Sequence, residues 1–272
     1  MIINNNISAL NAYRNPNDVN TRVEKSMEKL SSGLSINRAG DDAAGLAISE
    51  KMRGQIKGLD MATKNAQNGI SMIQTSEGAL NETHAIIQRM RELAVQSAND
   101  TNTDSDREKL QLEGTQLVEE LNRIAETTEF NTRTLMDGEF EGEGVKFHIG
   151  ANKDQSVELK FNDMKADALG LSDFDIKDGE SANSAIDLVN NALESVSSER
   201  AKLGATQNRL EHTINNLRVS GENLQAAESR IRDADMANEM VKFSKDQIIS
   251  QSGTAMLAQA NTAPQSVLQL LR

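Results

Sequence analysis

Three histidines, His84, His148 and His212, and no cysteine are available for acid–base, nucleophilic or metal chemistry. Histidine is the side chain best placed to move protons near neutral pH. Metal sites also use it, but they gather their ligands at short spacings such as His-Glu-x-x-His. None of the three stands in such a spacing. His212 follows Glu211 in a helical stretch, where a solvated surface imidazole is the simpler reading. Without a thiol, disulfide staples and thiolate nucleophiles are excluded. The acidic residues are spread over helix faces, whose ordinary role is solvation. The glycines of Ser31-Ser-Gly-Leu-Ser-Ile-Asn-Arg-Ala-Gly40 do not follow a strand, so they form no phosphate loop. Asn81-Glu-Thr and Asn99-Asp-Thr match the N-glycosylation triplet, a match that chance supplies in a chain rich in Asn and Thr. The expectation is no catalytic site, no metal and no cofactor.

Composition narrows the class further. The chain has 272 residues and a net charge of -12, which argues against nucleic acid, because phosphate binding needs clustered Lys and Arg. Aromatic residues make up 3%, Trp is absent and Pro occurs twice, which suits long helices better than a sandwich or barrel. The start, Met1-Ile-Ile-Asn-Asn-Asn-Ile-Ser-Ala-Leu10, lacks the basic and apolar regions of a cleavable secretory signal. No segment approaches the roughly 18 uninterrupted apolar residues of a membrane span. Of the eleven methionines, Met52 and Met90 fall in a helical register, which favours core filling over a plastic binding surface.

The elements that would carry any function are long helices divided between the two ends. One arm runs from about Ala43 to Ala98, with Ile48, Met52, Leu59, Ala62, Ala66, Ile70, Ile73, Leu80, Ile87, Met90 and Leu93 at helical spacing. Gly40-Asp41-Asp42 signals its start and the turn formers Asn99–Asp104 its end. A shorter helix, about 105–126, uses Leu110, Leu117, Leu121 and Ile124. The second arm, about Ser184 to Arg232, keeps one alternating three-and-four register through Val189, Leu193, Val196, Leu203, Leu210, Ile214, Leu217, Leu224 and Ile231. Arg200, Gln207, Gly221 and Glu228 interrupt it. At 1.5 Å per residue this arm would span about 70 Å. Only the middle, about 130–174, changes period. Val145, Phe147 and Ile149, then Val157, Leu159 and Phe161, predict a β-hairpin around Gly150–Asp154, expected to cap the tip of an antiparallel helical rod.

The end segments, about 1–39 and 233–272, carry weaker amphipathic signals. The apolar residues expected to hold copies of the chain together are Ile7, Leu10, Val23 and Leu30 at one end, and Ile248, Leu257, Val267, Leu268 and Leu271 at the other. Alone, these ends have too little apolar surface to offset the entropy of ordering. A helix start or kink is expected at Pro16, with Asn15 as its cap. The charges of Gln88-Arg-Met-Arg-Glu-Leu-Ala-Val95 lie opposite the seam, as on any solvated helix face.

Several runs resemble the bacterial flagellin family closely. They are Leu30-Ser-Ser-Gly-Leu-Ser-Ile-Asn-Arg-Ala-Gly-Asp-Asp-Ala-Ala-Gly-Leu-Ala-Ile-Ser49, Ile73-Gln-Thr-Ser-Glu-Gly-Ala-Leu80, Arg230-Ile-Arg-Asp-Ala-Asp235, and Ala255-Met-Leu-Ala-Gln-Ala-Asn261 with Val267-Leu-Gln-Leu-Leu-Arg272. The resemblance covers both ends and both arms, and the short middle looks like a member lacking large outer domains. It implies a mainly α fold and a structural, non-enzymatic subunit. Such a subunit polymerises into the extracellular flagellar filament for swimming motility, exported unfolded and added at the distal tip.

By the same resemblance, residues 1–42 with 233–272 would form an inner helical domain, disordered in the monomer and ordered in the filament. Residues 43–232 would form the rod. Implied partners are other copies of the chain, the export apparatus, a secretion chaperone at the C-terminal segment, and cap and junction proteins. No membrane or nucleic acid is implied. In some members a Toll-like receptor reads this region, and the match places that epitope and subunit contact on Gln88, Arg89, Leu93 and Glu113. Met90 and Pro16 depart from the family pattern. A hook–filament junction protein shares the end motifs and is the alternative; an enzyme built on this scaffold has no room in the short middle.

Overall fold

The structure, a computed structural model, describes the backbone of residues 7–270 and the side chains of residues 13–262. Along the chain come α1 (Ile7–Ser32), α2 (Ala43–Ser97), α3 (Asp104–Thr127), β1 (Glu129–Phe130), β2 (Arg133–Thr134), α4 (Glu139–Gly142), β3 (Val145–His148), β4 (Ser156–Leu159), α5 (Gly179–Arg232) and α6 (Met236–Leu270). The fold is mainly α with small antiparallel hairpins. Two compact units divide it: Met1–Gly54 with Glu222–Arg272, and Gln55–Gly221.

In the Gln55–Gly221 unit, α2 and α5 run in opposite directions. Gly69 lies beside Leu210, and Arg200 reaches Glu77 at 3.9 Å. Ala66, Ile73, Leu80, Ile87 and Ala94 recur every seven residues on α2, and all are buried. That period is the signature of coiled-coil-like packing. On α5 the seam is Ala182, Ala185, Val189, Ala192, Val196, Glu199 and Leu203, all buried. The expected register instead used Leu193, which is half-buried, and Arg200, which sits at the seam edge. The two registers coincide at Val189, Val196 and Leu203, so sequence periodicity could not separate them. What separates them is a small residue, Ala192, and a satisfied carboxylate, Glu199. Glu199 is 2% exposed and accepts hydrogen bonds from the Asn162 N–H and Lys202 Nζ, both at 3.3 Å.

The middle of the chain folds along α2 rather than over its end. β3 and β4 pair with Val145 opposite Leu159 and His148 opposite Ser156. Asn65 Nδ2 donates to the His148 carbonyl at 3.0 Å, and the Phe147 ring lies over Gly69. At Gly58 a Cβ would come within 2.9 Å of the Ala151 Cβ. The expected tip cap is therefore corrected: glycines on α2 let the hairpin approach the helix flank. A second hairpin, β1–β2, was not expected. Its two-residue loop, Asn131-Thr132, has φ of 53° and 65°, the positive pair of a type I′ turn. Thr132 is β-branched and so a poor sequence signal for that conformation.

At the far end of α2, the Ser97 hydroxyl donates to the Ile176 carbonyl. Gln111 on α3 holds the same segment with both ends of its amide. Its Nε2 donates to the Phe174 carbonyl and its Oε1 accepts from the Ile176 N–H, each at 2.8 Å. Gly114 gives the Phe174 ring its place, since a Cβ there would lie 2.6 Å from Phe174 Cε1. α5 begins at Gly179, five residues before its expected start, and the Asp178 carbonyl accepts from the Ala182 N–H at 2.8 Å.

Gly114→Ala should destabilise this unit by about 1–3 kcal/mol, because it overpacks against an aromatic ring. Gly78, on the same scaffold, has nothing within 4 Å of its built Cβ. Gly78→Ala should stabilise by up to about 1 kcal/mol through helix propensity. Urea unfolding followed by circular dichroism measures both, and equal effects would refute the ring-contact account.

Candidate assembly surface

The terminal unit is organised by its two linkers. α1 stops at Gly33, whose φ of +72° lets its N–H return to the Lys29 carbonyl at 2.9 Å. Leu34 forms an antiparallel bridge with Asp233. The Ser35 N–H donates to the Arg232 carbonyl at 2.7 Å, and the Ala234 N–H to the Gly33 carbonyl at 2.9 Å. Arg232, 9% exposed, sends NH1 to Glu50 Oε1 at 2.6 Å. Asp42 Oδ1 accepts from the N–H groups of Ala44 and Gly45, both at 3.0 Å, and so caps α2. Asp235 Oδ1 does the same for α6 through Ala237 and Asn238. Ile48 does not join the packing expected of it. It is 47% exposed, and the small hydroxyl of Ser49 is buried in its place.

From this junction α1 and α6 pair antiparallel. On α1 the inward positions are Pro16, Val19, Val23, Ser26 and Leu30, at alternating three-and-four spacing. On α6 they are Glu239, Phe243, Asp246, Ser250, Gly253 and Leu257. Much of this seam is polar. Ser26 donates to Glu239 Oε1 at 2.8 Å, Ser250 to Asn20 Oδ1 at 2.8 Å, and Arg22 pairs with Asp246 at 3.4 Å. α1 is helical from Ile7 through Pro16 to Ser32, so the helix does not start at Pro16 as one of the two expectations had it. Pro16 is buried over Gly253, where a Cβ would lie 3.1 Å from Pro16 Cγ. Ring packing against a helix that offers no side chain offsets the hydrogen bond a mid-helix proline forfeits.

Large apolar side chains remain exposed on both helices. They are Tyr13 and Met27 on α1, and Met236, Met240, Val241, Ile248, Ile249 and Met256 on α6. Of the residues expected to join copies, Ile248 belongs to this exposed set, at 63%. Val23, Leu30 and Leu257 are half-buried and lie on the seam within the chain. The side chains of Ile7, Leu10, Val267 and Leu268, and the whole of Leu271, lie outside the described residues. Met240, Val241 and Met256 belong to the weak amphipathic signal of this end, but with Ile249 they form no single stripe.

In the other unit, Gln88, Arg89 and Glu113 are exposed, and Arg89 Nε meets Glu113 Oε1 at 2.9 Å across α2 and α3. Leu93 does not join them: it is fully buried. It falls on the core side of α2 with Met90 and Ala94, so its expected place in a surface epitope is withdrawn. Among the described residues no group of three or more His, Asp or Glu gathers as a metal would require, and no helix is long and apolar enough to cross a membrane.

Paired long helices, a polar seam and unburied apolar flanks are the features of an assembly surface. The chain belongs to the bacterial flagellin family. Residues 3–141 match the bacterial flagellin N-terminal helical region and residues 186–271 the C-terminal helical region. Over all of both chains it is 57% identical to a flagellin of Halalkalibacterium halodurans and 54% identical to the flagellar filament 33 kDa core protein of Treponema phagedenis. A solved Bacillus cereus flagellin superposes with a TM-score of 0.50 at 29% identity, over 57% of this chain and 88% of that one.

Glu239 provides a test of the α1–α6 seam. Burial raises its pKa, but hydrogen bonds from Ser26 and Lys242 outweigh burial and hold the carboxyl below its usual range. A carboxylate depressed in the folded state contributes stability above its unfolded pKa and loses it as pH falls through the folded value. The pairing should therefore hold at neutral pH and loosen once acid reaches the glutamate range and below. Asp41 and Asp235, held low by backbone N–H groups, act with the same sign. Glu239→Gln should thus weaken the acid response of amide exchange at residues 20–30 and 239–250 without abolishing it. An unchanged acid profile in that variant would sink the assignment.

Proposed function

We propose that this chain joins its neighbours through α1 and α6 as a structural subunit of the bacterial flagellar filament. It self-polymerises and is not an enzyme. The observation that carries the surface is the crowding of exposed large apolar side chains on these two helices, eight in all among the described residues. Apolar area left in water on a paired-helix unit marks an interaction face. In this reading the ends, 1–42 with 233–272, form an inner layer that firms up against other copies, and 43–232 forms the next layer outwards. The chain reaches the extracellular filament unfolded through the export apparatus, with a chaperone on its C-terminal segment, and is added beneath a cap protein. A Toll-like receptor, where one is met, would read Gln88, Arg89 and Glu113 rather than Leu93. A hook–filament junction role is not favoured, because the full-length relatives are flagellins and a filament core protein.

Seeded elongation tests the surface. Purified chain should lengthen filament fragments, whereas Ile248→Asp should cut the elongation rate at least tenfold with helix content unchanged. Such a loss reflects burying an unpaired charge in an apolar contact. Elongation by the variant at the parent rate would remove α6 from the interface.

A further inference from the structure

We propose that a cationic face of α1, centred on Lys25 and Lys29, receives carboxylate side chains of a second copy of the chain. This deepens the assembly role of α1 and α6 and rests on that reading. Lys25 and Lys29 are one helical turn apart, beside the seam residue Ser26, and line a pocket with Arg22, Lys242 and Asp41. The neighbouring charges are already matched: Arg22 with Asp246 at 3.4 Å and Lys242 with Glu239 at 3.1 Å. Asp41 spends one oxygen on the N–H groups of Asn37 and Arg38. Neither Lys25 nor Lys29 has a side-chain hydrogen bond or ion pair among the described residues. The pocket lining thus carries four cations, Arg22, Lys25, Lys29 and Lys242, against three carboxylates, Asp41, Glu239 and Asp246, and two of the four, Lys25 and Lys29, have no contact partner among the described residues.

Assembly makes this surplus matter. The apolar residues that other copies must cover, Met27 on α1 and Met240 and Val241 on α6, sit within a few residues of the pocket in sequence. Covering them excludes water around Lys25 and Lys29. An ammonium group taken out of water without a counter-charge is strongly unfavourable, whereas a pair brought together there is tolerated. The covering chain must therefore supply acid, and this sequence has it in surplus. Residues 1–54 and 222–272 together carry 12 basic and 12 acidic side chains, and residues 55–221 carry 17 basic and 29 acidic. Glu139, Glu141 and Glu143, for instance, are exposed and make no ion pair among the described residues. A complementary charge at a contact acts first on the rate of association and on its salt dependence.

The test is seeded elongation of the full chain over a sodium chloride series. The variants are Lys25→Gln/Lys29→Gln, Lys25→Arg/Lys29→Arg, Lys25→Glu/Lys29→Glu and Ile248→Asp. Circular dichroism and amide exchange of α1 establish that each is folded. The Gln pair should slow elongation by about tenfold or more at low salt and flatten its salt dependence. The Arg pair should restore both, and the Glu pair should block growth. Parent-like rate and salt dependence in the Gln pair overturns the proposal, as does a folded Arg pair that fails to elongate. If Ile248→Asp also elongates normally, it is the α1–α6 interface itself that has failed.

Discussion

Arg232 cannot leave water without an acceptor for its charge, and the terminal unit is built around the one it finds. Its NH1 meets Glu50 at 2.6 Å while its own carbonyl accepts from Ser35. One residue thereby ties the end of α5 to the start of α2 and to the α1–α2 linker. A guanidinium is suited to this because it stays charged and donates from a planar fork. Arg232 Nε has no hydrogen-bond partner among the described residues, so the buried guanidinium is under-satisfied, while Glu50 itself stays largely exposed. Removing Glu50 would strand a buried charge, which is far costlier than the pair is stabilising. The short Leu34–Asp233 bridge then sets where α1 leaves and α6 begins, with Gly33 making the reversal and Asp235 the cap.

Given that origin, the register of α1 against α6 is fixed by polar residues more than by apolar ones. Val19 is the one large aliphatic wholly buried on the described part of α1. Ser26 with Glu239, Arg22 with Asp246, and Pro16 on Gly253 supply the rest. Polar seam positions weaken a coiled coil while specifying its alignment. This pairing is therefore a guide rather than a strong core. The Gln55–Gly221 unit has the opposite character, with Ile73, Leu80, Ile87, Leu203 and Leu210 buried in a continuous apolar core.

Much of this was legible in the sequence, and its failures have physical causes. Heptad spacing located α2 and α5 within a few residues, and alternation located β3 and β4. The period could not choose between Leu193 and Ala192, because a small residue beside a satisfied carboxylate can hold a seam as well as a leucine. That the helix does not start at Pro16 was not legible locally, because the glycine the proline packs on, Gly253, lies 237 positions away in the chain. Leu93 was assigned to a surface by resemblance, although its own spacing from Met90 and Ile87 already put it on the core side. The linkers were visible only as motifs. Their physical content, a bridge, two caps and an ion pair on a buried arginine, needed the two ends brought together.

The distribution of apolar residues on α6 bears on what kind of assembly can satisfy it. Met240 and Val241 are adjacent in sequence, as are Ile248 and Ile249, so each pair points about 100° apart around the helix axis. α1 covers one side of α6, and these residues lie off that side. A helix whose unpaired side carries large apolar side chains in several directions is at rest only when it is surrounded. A two-fold dimer would add one more covered side and then close, leaving the others in water. Contacts that differ on the two partners do not close, and repeating them generates a helical array in which each copy meets several neighbours. The unpartnered faces of α6 therefore call for open, many-neighbour packing, and a filament provides it where a discrete dimer does not.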